Sequence, residues 1–263
     1  TGENYSSPAS DKSDAIVALN IDNGDIRWIQ QTIANDAWNA ACEGNKVNCP
    51  AEDGPDFDFG APPILVKLDN GKDIILAGQK SGAIFGMDPN NKGEILWQRR
   101  IGRGGFNGGV HWGMTTDSSK LYVAIADTPG HRQTTGEANP GLHAFDIENG
   151  APQWSKYEWP TCEEKNYRCY PALSAALSMT TGIVFAGGLD GTLHAYSTET
   201  GKPLWRYETD REFNAINSVK ARGGSIDSDG VVIANGRLYI NSGYDKFGEI
   251  PGNVLLSFEI EKD

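Results

Sequence analysis

The chain has 263 residues, 38% of them hydrophobic, with 32 Gly, 9 Tyr and 7 Trp, enough for one large or two modest domains around a sizeable core. Abundant Gly and aromatics with few long helical periods favour an all-β chain. A net charge of 23 − 35 = −12 argues against nucleic acid or an anionic membrane as partner, and no apolar run approaches the roughly 20 residues that span a bilayer.

The opening, TGENYSSPAS, has no Met and no signal-peptide pattern and leads straight into a strand, which reads as a chain entered partway. The segment AIVALNIDNGDIRW (15–28) follows. It is an alternating strand, a tight Asn/Asp/Gly turn and a returning strand that ends in Trp28. Three further segments match it: AIFGMDPNNKGEILW (83–97), GLHAFDIENGAPQW (141–154) and TLHAYSTETGKPLW (192–205), ending in Trp97, Trp154 and Trp205. A fifth, NVLLSFEIEKD (253–263), stops before its turn and Trp. Further strand-like runs lie between them at Leu121 to Ala126, Ile183 to Ala186 and Val231 to Asn241.

Repeats of roughly 50 to 70 residues with about four short strands each predict β-propeller blades, each Trp packing over a hairpin and stitching one unit to the next. A β-sandwich is the second reading. The copies amount to about four blades, fewer than the probable eight. Residues 1–263 are therefore expected to be one partial propeller domain, the C-terminal blades of a longer ring, with no separate second domain. A complete four-bladed ring is the alternative.

The four Cys form two local pairs, Cys42/Cys49 and Cys162/Cys169, in polar loops. Neither has the spacing of a zinc site or of haem attachment, so two loop disulfides in an exported protein, periplasmic or secreted, are expected in preference to free thiols.

Residues 54–80, GPDFDFGAPPILVKLDNGKDIILAGQK, hold the candidate chemistry. Asp56 and Asp58 alternate with Phe57 and Phe59, and Lys80 falls between a strand-like run (Ile74 to Ala77) and another (Ala83 to Met87). A buried carboxylate beside a cation can take a proton and steady the resulting charge. The alternative is a turn whose Asp side chains cap backbone amides, with Lys80 in solvent.

The Trp-ended hairpins resemble the blade motif of the quinoprotein alcohol dehydrogenases, which carry pyrroloquinoline quinone (PQQ) in an eight-bladed propeller, and the resemblance covers essentially the whole chain. GRGGFNGGVHWGM (102–114) and NSGYDKFGEIPGNVLLSF (241–258) are similar to the polyvinyl-alcohol dehydrogenase branch. PDFDFGAPPIL fits an Asp-x-Asp-x-x-Ala-x-Pro pattern, which implies Asp56 as catalytic base and metal contact, with Pro55 where the family usually has Trp. Asp58 resembles the second Asp that lanthanide-using members place beside their metal. Lys80 matches the cation that contacts the quinone oxygens. TGEN resembles a Thr-Gly-Asn stretch whose Asn is a metal ligand; Glu3 stands in the third place and Asn4 follows, either offering a hard oxygen to Ca²⁺.

His111 and Trp112 sit where relatives carry Asn-Trp, which implies contact with PQQ; a hydrogen-bonded core histidine is the equal alternative. Asn217, Arg222 and Ser225, in the Gly-rich loop 211–230, are candidates for cofactor or substrate contact beside the reading of a solvated inter-blade loop. Trp38 either shapes the substrate entrance or packs its own loop.

The resemblance implies a PQQ-dependent alcohol dehydrogenase acting on secondary or polymeric alcohols, with Ca²⁺ or a lanthanide as metal and cytochrome c as electron acceptor. The acidic surface suits a cationic redox partner. The missing N-terminal blades come from the same or another chain. The alternative function is a non-catalytic β-propeller scaffold of the outer-membrane assembly lipoprotein type, which shares the repeat.

Overall fold

Each of the four Trp-ended segments folds as an antiparallel hairpin with one irregularity in its register. A computed structural model describes residues 1–128, 136–157, 162, 169, 170 and 172–260. The first hairpin pairs β1 (Ala15–Leu19) with β2 (Ile26–Gln31). The second closes a four-stranded meander of β3 (Ile64–Lys67), β4 (Asp73–Gly78), β5 (Ala83–Asp88) and β6 (Glu94–Arg100). The third closes β7 (Thr115–Thr116), β8 (Lys120–Ile125), β9 (Gly141–Asp146) and β10 (Pro152–Tyr157). The fourth closes β11 (Ser178–Thr180), β12 (Ile183–Gly187), β13 (Thr192–Ser197) and β14 (Pro203–Glu208). In all four the register shifts opposite or beside the Trp, as at Ala18/Leu19 and Gly86/Met87.

Two regions differ from the expectation. The loop 211–230 contains a short hairpin, β15 (Glu212–Asn214) with β16 (Lys220–Arg222). The run Val231 to Asn241 is two strands, β17 (Val232–Ala234) and β18 (Arg237–Ser242). Asn235 and Gly236 separate them, at φ 51° and 73°, a pair of left-handed residues suited to a two-residue hairpin turn. β19 (Val254–Glu259) pairs with β18 to complete this three-stranded sheet. The fifth repeat is thus an edge strand; its last residues, 261–263, lie outside the described residues.

The core is a series of layers between successive sheets, as in a propeller. Ile74, Leu76 and Ile84 of one sheet meet Leu121, Val123 and Ile125 of the next. Tyr122, Leu142 and Ala144 then meet Val184 and Tyr196, and Leu193 meets Ile226, Val231 and Ile240. The third strands β5, β9 and β13 are buried almost throughout, whereas β14, the outer strand of its blade, is mostly exposed.

Trp joins the layers through the turn of the following blade. Trp97 donates its indole N–H to Ile147 O (3.0 Å), and Trp154 donates to Thr198 O (3.1 Å). The turn glycines Gly93, Gly150 and Gly201 lie on the rings of Trp28, Trp97 and Trp154, so close that a Cβ would fall 2.6 to 2.7 Å from ring carbons. Each also has φ between 68° and 73°. One residue type therefore meets two demands, left-handed backbone and ring contact. Trp205 meets Phe258 edge-on instead, with ring centroids 5.4 Å apart, and remains 38% exposed.

Candidate active site

The segment before β1, the connections entering β3, β7, β11 and β17 and the turns β4–β5 and β18–β19 supply the candidate residues. Lys80, in the β4–β5 turn, donates its backbone amide to Asp58 O (3.1 Å). Its Nζ lies 3.0 Å from Asp56 Oδ1 and 2.9 Å from Asp58 Oδ1. Lys80 is 7% exposed and Asp56 3%, so the pair is buried and Lys80 is not a solvated strand end. Burial opposes the charge on Lys80, but Asp58 and Asp56 outweigh it and raise its pKa. Burial, reinforced by Asp58, pushes the Asp56 carboxyl up to about 7 despite the opposing pull of Lys80.

Glu3 completes a three-carboxylate group. Oxygens of Glu3, Asp56 and Asp58 all lie within 4.8 Å of one another. Burial, a hydrogen bond with Asp58 and the charge of Asp56 raise Glu3 to about 8. Asn4 is placed differently: its side-chain amide donates to Ser6 O and to Pro8 O (3.2 Å), and its backbone bridges Ala37. Of the two adjacent candidates, Glu3 is the one brought to the carboxylates.

His111 and Trp112 follow the loop 102–110, which a single buried carboxylate organises. Asp127 accepts the amides of Arg103 (2.9 Å), Gly104 (3.0 Å), Gly109 (3.2 Å) and Asn139 (2.9 Å). The His111 ring lies 4.6 Å from that of Trp112, and its Nδ1 is 3.1 Å from Ser174 Oγ. Burial, with the nearby Lys80 charge, lowers His111 to about 4, so it is neutral at pH 7.

A cavity of about 310 Å³ opens beside His111. Its walls include Gly104, Gly105, Phe106, Ser174, Asp227 and Glu249. Burial pushes the Asp227 carboxyl up to about 6 against the lowering effect of the Ser174 hydroxyl, with Glu249 adding to the rise. Trp38 stacks on Phe106, centroids 6.2 Å apart.

The three candidates from loop 211–230 are engaged elsewhere. Asn217 Oδ1 accepts the Val219 amide (3.2 Å), Arg222 pairs with Asp210 (2.8 Å), and Ser225 Oγ accepts the Ile250 amide (2.9 Å). Asp227, two residues beyond Ser225, faces the cavity instead. Asp227, Glu249, Ser174 and Asp36 were not among the expected site residues, although loop 211–230 holds Asp227 and the stretch 241–258 holds Glu249. Both expected disulfides are formed, Cys42–Cys49 and Cys162–Cys169.

The arrangement joins a proton acceptor near neutrality, a buried cation, a hard-oxygen cluster and an adjacent cavity. Residues 138–261 match the family described as outer membrane protein assembly factor BamB. Over 99% of the chain the sequence is 38% identical to a polyvinylalcohol dehydrogenase of Pseudomonas sp. and 36% identical to that of Sphingopyxis sp. strain 113P3. The chain spans 42% of the length of each. Its fold is similar to that of quinohemoprotein alcohol dehydrogenase from Comamonas testosteroni, with a TM-score of 0.59 and 17% identity over 95% of this chain and 44% of that one. It is also similar to BamB from Moraxella catarrhalis, with a TM-score of 0.51 and 17% identity over 91% of this chain and 57% of the other.

Proposed function

We propose that the chain belongs to the quinoprotein alcohol dehydrogenase family and that the intact protein is a PQQ-dependent dehydrogenase of secondary or polymeric alcohols. The observation that carries the reading is the burial of Asp56 against Lys80 inside the Glu3–Asp56–Asp58 cluster, which a cavity wall reaches through Gly105, whose amide donates to Lys80 O (3.1 Å). Residues 1–263 then form the C-terminal blades of a longer propeller whose other blades come from the same or another chain. The two relatives named polyvinylalcohol dehydrogenase support a polymeric alcohol as substrate.

The residues present fit the implied groups. Asp56 Oδ1 and Asp58 Oδ1 are buried, and each has the Lys80 ammonium as its neighbour, at 3.0 and 2.9 Å. Oxygens of Glu3, Asp56 and Asp58 lie within 4.8 Å of one another, and such a set of hard carboxylate oxygens suits Ca²⁺ or a lanthanide. The cavity volume stands at the lower end of the roughly 300 to 1,000 Å³ usual for ligand sites. PQQ, when bound, supplies the electron-accepting chemistry. Lys80, His111 and Trp112 are the residues that would hold it, His111 lining the cavity and the other two flanking it, beside the metal ligands Glu3, Asp56 and Asp58.

The chain's own residues account for the proton. Asp56, ionised above about pH 7 in the metal-free site, accepts the alcohol hydroxyl proton. Lys80 places a fixed positive charge where negative charge develops. Burial excludes bulk water from both. Cytochrome c as acceptor is consistent with a net charge of −12, and two disulfides support a periplasmic or secreted location.

The test is reconstitution of the intact protein with PQQ and Ca²⁺, followed by dye-linked oxidation of polyvinyl alcohol and short secondary alcohols, with Asp56→Asn alongside. Dye reduction that requires both PQQ and Asp56 is expected. Failure of the intact protein to bind PQQ would overturn the enzyme reading in favour of a scaffold, the role that the BamB family description favours.

A further inference from the structure

Asp36 is fully buried and is tied to the Asp56 turn by both carboxylate oxygens. Oδ1 accepts the Asp56 amide (3.2 Å) and Oδ2 accepts the Phe57 amide (3.0 Å). Between Asp36 and that turn the chain makes a long excursion, residues 37–55, which includes the 3-10 turn Ala40–Glu43 and the Cys42–Cys49 disulfide. The excursion is closed at its base beside Asp36: Gly54 donates its amide to Ala37 O (3.1 Å), and Trp38 donates to Asn4 O (2.8 Å). Gly54 crosses so near that a Cβ would stand 2.1 Å from Asp36 Oδ1.

Asp56 itself has φ of 59°, a left-handed conformation that a non-glycine residue keeps only when its surroundings impose it. The two amides that Asp36 holds are those of this residue and the next. In that conformation the Asp56 side chain faces Lys80 and the carboxylate cluster.

We infer that Asp36 is a positioning residue for Asp56: a buried carboxylate that grips two successive amides and so fixes the backbone that aims the Asp56 side chain at Lys80. It acts across residues 37–55, so changes within the excursion leave the Asp56 geometry intact while the Asp36 grip holds. The inference rests on the reading of Asp56 as proton acceptor and metal contact.

Asp36→Asn is close to isosteric and loses one of the two acceptors. The intact protein is prepared as wild type, Asp36→Asn, Asp56→Asn and the double variant, and followed by thermal melting, by terbium luminescence at the carboxylate cluster and by dye-linked turnover. Asp36→Asn is expected to melt within a few degrees of wild type. It should lower kcat by about 10²-fold with little change in KM, the scale set by roughly an ångström of misplacement. Terbium affinity should fall by about 10- to 100-fold, as for other residues that orient a ligand. In the Asp56→Asn background neither quantity should fall further. Multiplicative losses in the double variant, or no loss in Asp36→Asn, overturn the inference.

If Asp56→Asn alone leaves terbium binding and turnover intact, the base assignment falls instead, and amide exchange decides the positioning separately. Slow exchange at Asp56 and Phe57 in wild type that becomes fast in Asp36→Asn upholds the grip; equal exchange in the two overturns it. Gly54→Ala displaces the Asp36 carboxylate without removing it and should reproduce the phenotype, which keeps the test open should Asp36→Asn fail to fold.

Discussion

Lys80 Nζ lies 3.0 Å from Asp56 Oδ1, with both residues withdrawn from solvent and Asp58 equally close to the ammonium. Removing one partner of a buried pair leaves the other charge uncompensated, at a cost of roughly 3 to 5 kcal/mol. Lys80→Met should lose about that much in urea unfolding. In Lys80→Met/Asp56→Asn the loss should be smaller than the sum of the single losses, because the stranded charge is partly removed. Additive losses would contradict the pairing.

The turn glycines make a second prediction. Gly150 and Gly182 both have positive φ, 68° and 80°, but a Cβ at Gly150 would meet the Trp97 ring at 2.6 Å, whereas Gly182 faces open space. Both alanine variants suffer backbone strain, and only Gly150→Ala adds overpacking of about 1 to 3 kcal/mol. Chemical denaturation should therefore rank Gly150→Ala well below Gly182→Ala in stability. Equal stabilities would mean that the Trp contact is not a joint between blades.

Asp127 holds four amides, two of them, those of Gly104 and Gly109, in buried bonds. A buried amide left without an acceptor costs about 1 to 3 kcal/mol. Asp127→Ala should lose at least about 2 kcal/mol by denaturant unfolding, and hydrogen exchange at Gly104 and Gly109 should accelerate. Because this loop carries His111 and one cavity wall, PQQ affinity of the intact protein should fall as well.

His143 is fully buried and uncharged, with Nε2 3.0 Å from Asn139 O and Nδ1 3.0 Å from Ser155 Oγ. Burial lowers its pKa from 6.5 to about 4. Between those values the unfolded chain binds the proton and the folded one does not, so this residue's contribution to stability falls as pH drops from 6.5 toward 4. The difference amounts to roughly 3 kcal/mol. His143→Gln should flatten the acid limb of a stability-against-pH curve by about that amount. An unchanged limb would show that other groups govern it.

The blades are encoded locally along the chain. Alternating strands, Asn/Asp/Gly turns and a terminal Trp are local signals, and the hairpins β1–β2, β5–β6, β9–β10 and β13–β14 formed where those signals recur. The pattern in 54–80 likewise brought Asp56, Asp58 and Lys80 into view, because an Asp-x-Asp among aromatics and a lysine at a strand turn are visible in one line of text. The Val231 to Asn241 run is two strands because Asn235–Gly236 interrupts its apolar residues, a local hairpin signal that was legible in the sequence and was passed over.

The remainder depended on tertiary structure. The choice of Glu3 over Asn4 followed from which side chain the bridge between Asn4 and Ala37 turns toward the carboxylates. The cavity joins His111 to Ser174, 63 residues away, and to Asp227 and Glu249 from still later loops. Asp36 reaches Phe57 across 21 residues. Such contacts leave no periodicity in the chain, because each exists only once the blades have stacked and brought their separate loops to one place. Hairpins are set by neighbours in sequence; the site is set by neighbours in space.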